Sequence, residues 1–128
     1  MNIKNKIEKS FPLIKIEGNE IQKTLYFNIG KVKVFPGQFY MLNYTGCQKP
    51  ISVSHYSDDI VGFTIQDRGE CSKKMINAKV GEYFGLTGPL GNGFDTKNAN
   101  NSLIIGAGIG SAPVSFLFSQ LQKNTKQV

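Results

Sequence analysis

The chain has 128 residues, 40% hydrophobic and 19% charged, with fifteen Lys and Arg against nine Asp and Glu and a formal net charge of +6. This is the composition of an ordinary globular domain, which excludes a disordered chain, and fourteen glycines without a triplet period exclude collagen. Cys47 and Cys71 are too few for a disulfide framework or a four-cysteine metal site, so free thiols are expected.

In chain order, residues 1–11 carry lysines with no apolar core behind them, so no secretory signal is expected and the location implied is cytoplasmic. Residues 13–16 form a short apolar strand pattern. Residues 23–29 alternate, placing Leu25, Phe27 and Ile29 on one face. Pro36-Gly37 marks a turn into residues 38–44, rich in strand-forming aromatics. Residues 51–56 alternate again, Asp58-Asp59 turns the chain, and residues 60–66 make a further strand, as do 83–86. The aromatics Phe35, Phe39, Tyr40, Tyr44 and Phe63 are expected mostly in the core. Residues 72–78 are helix-like, with Ser72 as N-cap and Gly81 past the end. Six or so short strands punctuated by turns predict a mainly β fold, a small antiparallel barrel or sandwich.

The character changes near Asn98. Residues 98–122 carry no charge, and 103–121 are long enough to cross a bilayer at about 1.5 Å per residue. Gly106, Gly108, Gly110 and Pro113 interrupt that run, so it reads as strand, glycine loop and helix, with Val114, Leu117, Phe118 and Leu121 on one helical face. This is the opening of an α/β nucleotide-binding unit that lacks its later strands. The expected division is a barrel at 1–97 and an incomplete α/β start at 98–128.

Fourteen of the fifteen cationic residues are Lys, spread from Lys4 to Lys126, with Arg68 the single Arg. Nucleic-acid surfaces favour Arg and a contiguous patch, so the charge reads as a solvated surface; a barrel binding single strands is the weaker alternative. Three segments could carry chemistry. Lys49-Pro50-Ile51-Ser52 offers a point charge for phosphate, a fixed backbone and a hydroxyl, though a turn explains it as well. Gly69, Cys71 and Ser72 stand at a helix start, where N–H groups without helical partners can seat pyrophosphate, or where Ser72 is an ordinary cap. Gly106, Gly108 and Pro113 permit close approach of phosphate to backbone, without the third glycine of the full dinucleotide fingerprint. Ser54, His55 and Asp58 imitate a triad, but neighbours on a strand diverge.

Taken in order, Pro36-Gly37-Gln38-Phe39, the 49–52 tetrapeptide, Gly69-x-x-Ser72, Gly88-Pro89-Leu90-Gly91-Asn92-Gly93-Phe94 and the glycine loop ending at Pro113 resemble the ferredoxin–NADP reductase superfamily. Within it they resemble the electron-transfer subunit of class 1B dihydroorotate dehydrogenase, a pyrimidine-biosynthesis oxidoreductase, over about residues 5–123. The resemblance implies a Greek-key FAD-binding barrel followed by an NAD-binding domain and a [2Fe-2S] centre. It implies electron flow between NAD(H), FAD, the cluster and a partner FMN flavoprotein, the catalytic dihydroorotate dehydrogenase subunit. By motif, Lys49, Pro50, Ile51 and Ser52 match the flavin-binding tetrapeptide, Thr64, Ile65 and Gln66 the strand bordering the flavin, and Gly69, Cys71 and Ser72 the pyrophosphate turn.

Three departures limit the carry-over. Lys49 replaces the usual arginine and loses its bidentate fork. Cys71 stands where glycine is usual. NAD and [2Fe-2S] belong to the full-length family only, because most of the NAD domain and the cluster cysteines are missing here. The alternative is a non-catalytic interaction module that kept the barrel, covering its exposed C-terminal helix by self-association.

Overall fold

The computed structural model describes residues 7–93 and 116–117. The elements are β1 (Lys9–Pro12), β2 (Lys15–Gly18), β3 (Gln22–Asn28), β4 (Phe39–Tyr44), β5 (Cys47–Ser57), β6 (Ile60–Gln66), α1 (Glu70–Ile76) and β7 (Tyr83–Leu90). All strand pairs are antiparallel, in the order β1-β7-β4-β5-β6-β3-β2, and the sheet curves into a half-barrel. The mainly β expectation holds. The expected strand at 13–16 is instead broken at Leu13. There the chain stops pairing with β7 and turns to β3, with Leu13 donating its N–H to the Glu82 carbonyl and accepting from Gly81. One straight strand cannot serve two partners on opposite edges.

Period-two alternation fills the core as read. Leu25, Phe27, Phe63 and Phe84 are fully buried, and the Phe27 ring meets Phe84 edge-on at 5.2 Å. Tyr40 meets Phe63 the same way at 5.5 Å, and such pairs add about 0.5–1.5 kcal/mol beyond the area they bury. Phe35 departs from the expected core set: it is 48% exposed, on the loop before the Pro36-Gly37 turn. α1 drives Met75 and Ile76 into the same cluster. Its N-cap is Gly69 rather than Ser72; Asn77 closes it, donating its N–H to the Lys73 carbonyl, and Gly81 lies past the end as expected.

β5 positions the site. The Tyr44–Cys47 pair is closed by Thr45 and Gly46, both at positive φ (49° and 83°), the tight hairpin turn that matches strand twist. Counting in pairs from that turn, Met41–Pro50 falls on a non-hydrogen-bonded position, so the missing N–H of Pro50 faces away from β4. From Phe39–Ser52 back to the turn, β5 pairs with β4. From Val53 onward it pairs with β6, through a register shift between Val53 and His55.

The glycine-loop residues Gly106 and Gly108, with Pro113, Val114, Phe118 and Leu121, lie outside the described residues, as does nearly all of the expected 98–128 unit. Residues 116–117 are helical. Phe116, which the apolar-face reading left out, is 2% exposed and tilts against Tyr56 with ring centroids 6.3 Å apart. Leu117, on the expected face, is half-buried.

Candidate functional site

Where β5 leaves β6, a cleft opens. The β5–β6 ladder ends at Val53–Phe63, although both strands run on, β5 back to Cys47 and β6 forward to Gln66. Ser52, Ile51 and Pro50 therefore form one lip, and Thr64, Ile65 and Gln66 the other. Neither lip has a strand partner on the cleft side among the described residues. Six of the residues singled out from sequence thus stand on the two strand segments that part here, with Ile65 turned into the core.

Alternation divides the lips between two faces. Cys47, Lys49, Ile51 and Val53 share the core-side face, with Cys47 and Ile51 packed partly against the core. Pro50, Ser52 and Thr64 lie on the outer face, where a hydroxyl chain secures the cleft's closed end. The Oγ1 atoms of Thr24 and Thr64 are 2.9 Å apart, Thr64 donates to Ser54 Oγ at 2.9 Å, and Ser54 donates to the Gly62 carbonyl at 3.1 Å. Ser54 is thereby engaged, and His55 sits edge-on to Tyr26 at 5.6 Å, so Ser54, His55 and Asp58 form no triad. Gln38 braces the neighbouring corner: Oε1 accepts the Phe35 N–H at 2.9 Å and Nε2 donates to the Gly91 carbonyl at 3.0 Å.

α1 begins at the core-side end of the cleft. Its first i to i−4 bond runs from the Lys73 N–H to the Gly69 carbonyl, leaving the N–H groups of Glu70, Cys71 and Ser72 ahead of it. A Cβ built on Gly69 would meet nothing within 4 Å, so the turn is open to approach. The Ser72 hydroxyl is not free for a ligand. It is 1% exposed, accepts the Arg68 N–H at 2.8 Å and donates to the Gly69 carbonyl at 3.1 Å. The Arg68 guanidinium in turn donates twice to Gln66 Oε1, at 3.0 and 2.8 Å.

The free-thiol expectation is overturned: Cys47 and Cys71 are joined as a disulfide, their Cα atoms 5.5 Å apart. Spacing along the chain gave no sign of this; the hairpin returns β5 to the start of α1. A groove of about 640 Å³ borders the same corner, lined by Tyr44, Thr45, Glu70, Lys73, Lys74 and Asn77. Tyr44 stacks on Phe84 at 4.4 Å and donates to Glu82 Oε2 at 2.7 Å. That hydrogen bond raises the Tyr44 phenol above its ordinary pKa and, with the Lys79 N–H, holds the Glu82 carboxyl below the usual carboxylate range. Burial pushes the Tyr40 phenol far above its ordinary range, with Tyr56 adding to the shift.

A curved antiparallel sheet closed at one end by a short helix is the fold of the ferredoxin reductase FAD-binding domain. The solved NADH-dependent reduced ferredoxin-NADP oxidoreductase, determined for insight into flavin-based electron bifurcation, matches 91% of this chain and 45% of its own, with a TM-score of 0.79 and 21% identity. By sequence the chain is a relative of the dihydroorotate dehydrogenase B (NAD(+)) electron transfer subunits. It is 38% identical over 101 residues to the probable subunit of Archaeoglobus fulgidus, covering 78% of this chain and 40% of that one. It is 32% identical over 127 residues to the subunit of Clostridium acetobutylicum, covering 95% and 50%. The chain therefore spans half or less of the length of these relatives. No protein-family model matches it. Among the described residues no helix is long and apolar enough to cross a membrane.

Proposed function

We propose that the chain is the flavin-binding portion of an oxidoreductase electron-transfer subunit that passes electrons between NAD(H), FAD and a partner dihydroorotate dehydrogenase, and that it is not competent alone. One observation carries the reading: the parting of β5 from β6 sets Pro50, Ile51 and Ser52 opposite Thr64, Ile65 and Gln66, with the start of α1 at the inner end.

The donors present suit FAD. The outer lips offer the ring the Ser52 hydroxyl and backbone groups that have no strand partner on that side. Lys49, on the core-side face with Cys47, supplies charge toward phosphate, and the leading N–H groups of α1 supply hydrogen bonds. Ser72 acts by shaping the turn, its hydroxyl being held within it. When bound, FAD supplies the hydride and electron chemistry, so the chain's own residues need only hold, orient and tune it. NAD, with Gly106, Gly108 and Pro113 as its sequence candidates, and the [2Fe-2S] centre are carried only at the level of the full-length family. The partner is the FMN-containing catalytic subunit, and a cytoplasmic location accompanies that role.

Titration with FAD tests the reading. The purified chain is expected to keep visible flavin absorbance through gel filtration, and Lys49→Ala to weaken binding by about tenfold, the scale of one charge-assisted contact. Protein that stays colourless with excess FAD overturns the assignment. The engaged Ser72 hydroxyl and the sulfur link at the phosphate end favour a second reading, a barrel kept as an interaction module without cofactor. A melting temperature unmoved by FAD would select it.

A further inference from the structure

Cys47 and Cys71 tie together the two segments that frame the inner end of the cleft, and the flavin reading uses the Cys71 backbone but neither sulfur. Cys47 is the first residue of β5 and shares its face with Lys49, two positions on; Cys71 is the second residue of α1, beside Ser72 and just after Gly69. Both are half-buried rather than sealed in the core, so a small thiol can reach the bond. The remaining hold on α1 is independent of it, because Met75 and Ile76 anchor the helix in the hydrophobic cluster. Opening the bond therefore frees the start of α1 without releasing the helix. The surroundings favour the opened form as well. Lys49 stands two positions from Cys47, and Lys73 and Lys74 follow Cys71 along the same short helix, so three cations border the couple against Glu70 in the first turn. Positive potential stabilises thiolate and makes a disulfide easier to reduce.

We propose that Cys47 and Cys71 form a reversible dithiol–disulfide couple that fastens the start of α1 to β5 and, on the flavin reading above, sets the affinity of the cleft for FAD. The reductant is a dithiol. One of its thiolates attacks Cys47 Sγ, the bond between the two sulfurs breaks, and Cys71 leaves as thiolate and takes up a proton. The reductant's second thiolate then attacks its own sulfur in the mixed disulfide, so Cys47 is released as a thiol and the reductant departs as a cyclic disulfide. Two electrons and two protons reach the protein, and the reductant loses the same.

The test equilibrates the full chain in mixtures of oxidised and reduced dithiothreitol and traps thiols by alkylation for mass measurement. Circular dichroism, hydrogen exchange over residues 69–76 and FAD titration are followed at each end point. The expected result is a single two-electron transition with the fold retained, faster exchange over 69–76 in the dithiol form, and FAD dissociation constants differing by about fivefold or more between the forms, as for a modest coupling between sites. Cys71→Ser should match the reduced form and ignore the redox mixture. Should that variant fail to fold, reduced and alkylated wild-type chain supplies the same comparison.

Two alkylatable thiols in air-equilibrated protein, loss of the fold on reduction, or identical exchange in both forms each overturn the couple. Equal FAD affinity in the two forms overturns its control of the cleft and leaves the flavin reading intact. Redox-dependent exchange with FAD bound by neither form overturns both the flavin reading and the control of FAD affinity, and upholds the fastening.

Discussion

The two halves of β5 differ although the same alternation runs through both. From Val53 to Ser57 the strand is held by β6, and the hydroxyls of Ser54, Thr64 and Thr24 lock the outer face. From Cys47 to Ser52 it has β4 on one side and the cleft on the other. Each half has one strand partner; they differ in where the other edge faces, which for Cys47–Ser52 is the parting between β5 and β6. Candidate chemistry sits in the half whose free edge faces that parting.

Substitutions can break or sharpen that contrast. Phe63→Ala, at the last β5–β6 pair and fully buried, should cost about 3–5 kcal/mol in chemical denaturation and abolish both halves together. Gly88→Ala would put a Cβ 2.7 Å from the Tyr40 ring, which is walled in by Phe63 and cannot yield. A loss of about 1–3 kcal/mol is expected, read as a lower denaturation midpoint.

Tyr40→Phe tests the same wall by pH. Burial keeps the Tyr40 proton in the folded chain, whereas the unfolded chain releases it near pH 10. Its contribution is therefore complete below about pH 10 and falls above it, by up to about 1.4 kcal/mol per pH unit. The phenylalanine variant should fall less steeply, with Tyr26 and Tyr44 leaving a residual slope. Thr64→Val cuts the hydroxyl chain and should cost about 1 kcal/mol in the same measurement. Lys49→Ala, in the open half, should move stability by less than about 0.5 kcal/mol while weakening FAD; a larger loss would mean that this half also carries the fold.

Much of the fold could be read from the sequence because period-two patterning is local. Leu25, Phe27 and Ile29 were found by alternation, and the Pro36-Gly37 and Asp58-Asp59 turns by their residue types. For the candidate site, the order of short motifs singles out residues 50–52 and 64–66, which the fold carries on the parting strands β5 and β6. What escaped depends on contacts distant in sequence. Ser72 looks like a cap until its hydroxyl is seen turned back to Gly69, and Cys47 and Cys71 meet only because a hairpin folds one toward the other. The sequence does carry one further signal: Thr45-Gly46 is a hairpin turn, and counting forward from it places Pro50 within a strand rather than in a loop.

That proline has a last consequence. A bare strand edge invites a stranger's backbone to dock along it, and repeated docking builds fibres. With Pro50 on the rim, one rung of any such ladder lacks its donor. The rim thus discourages polymerisation and keeps the opening available to a small molecule.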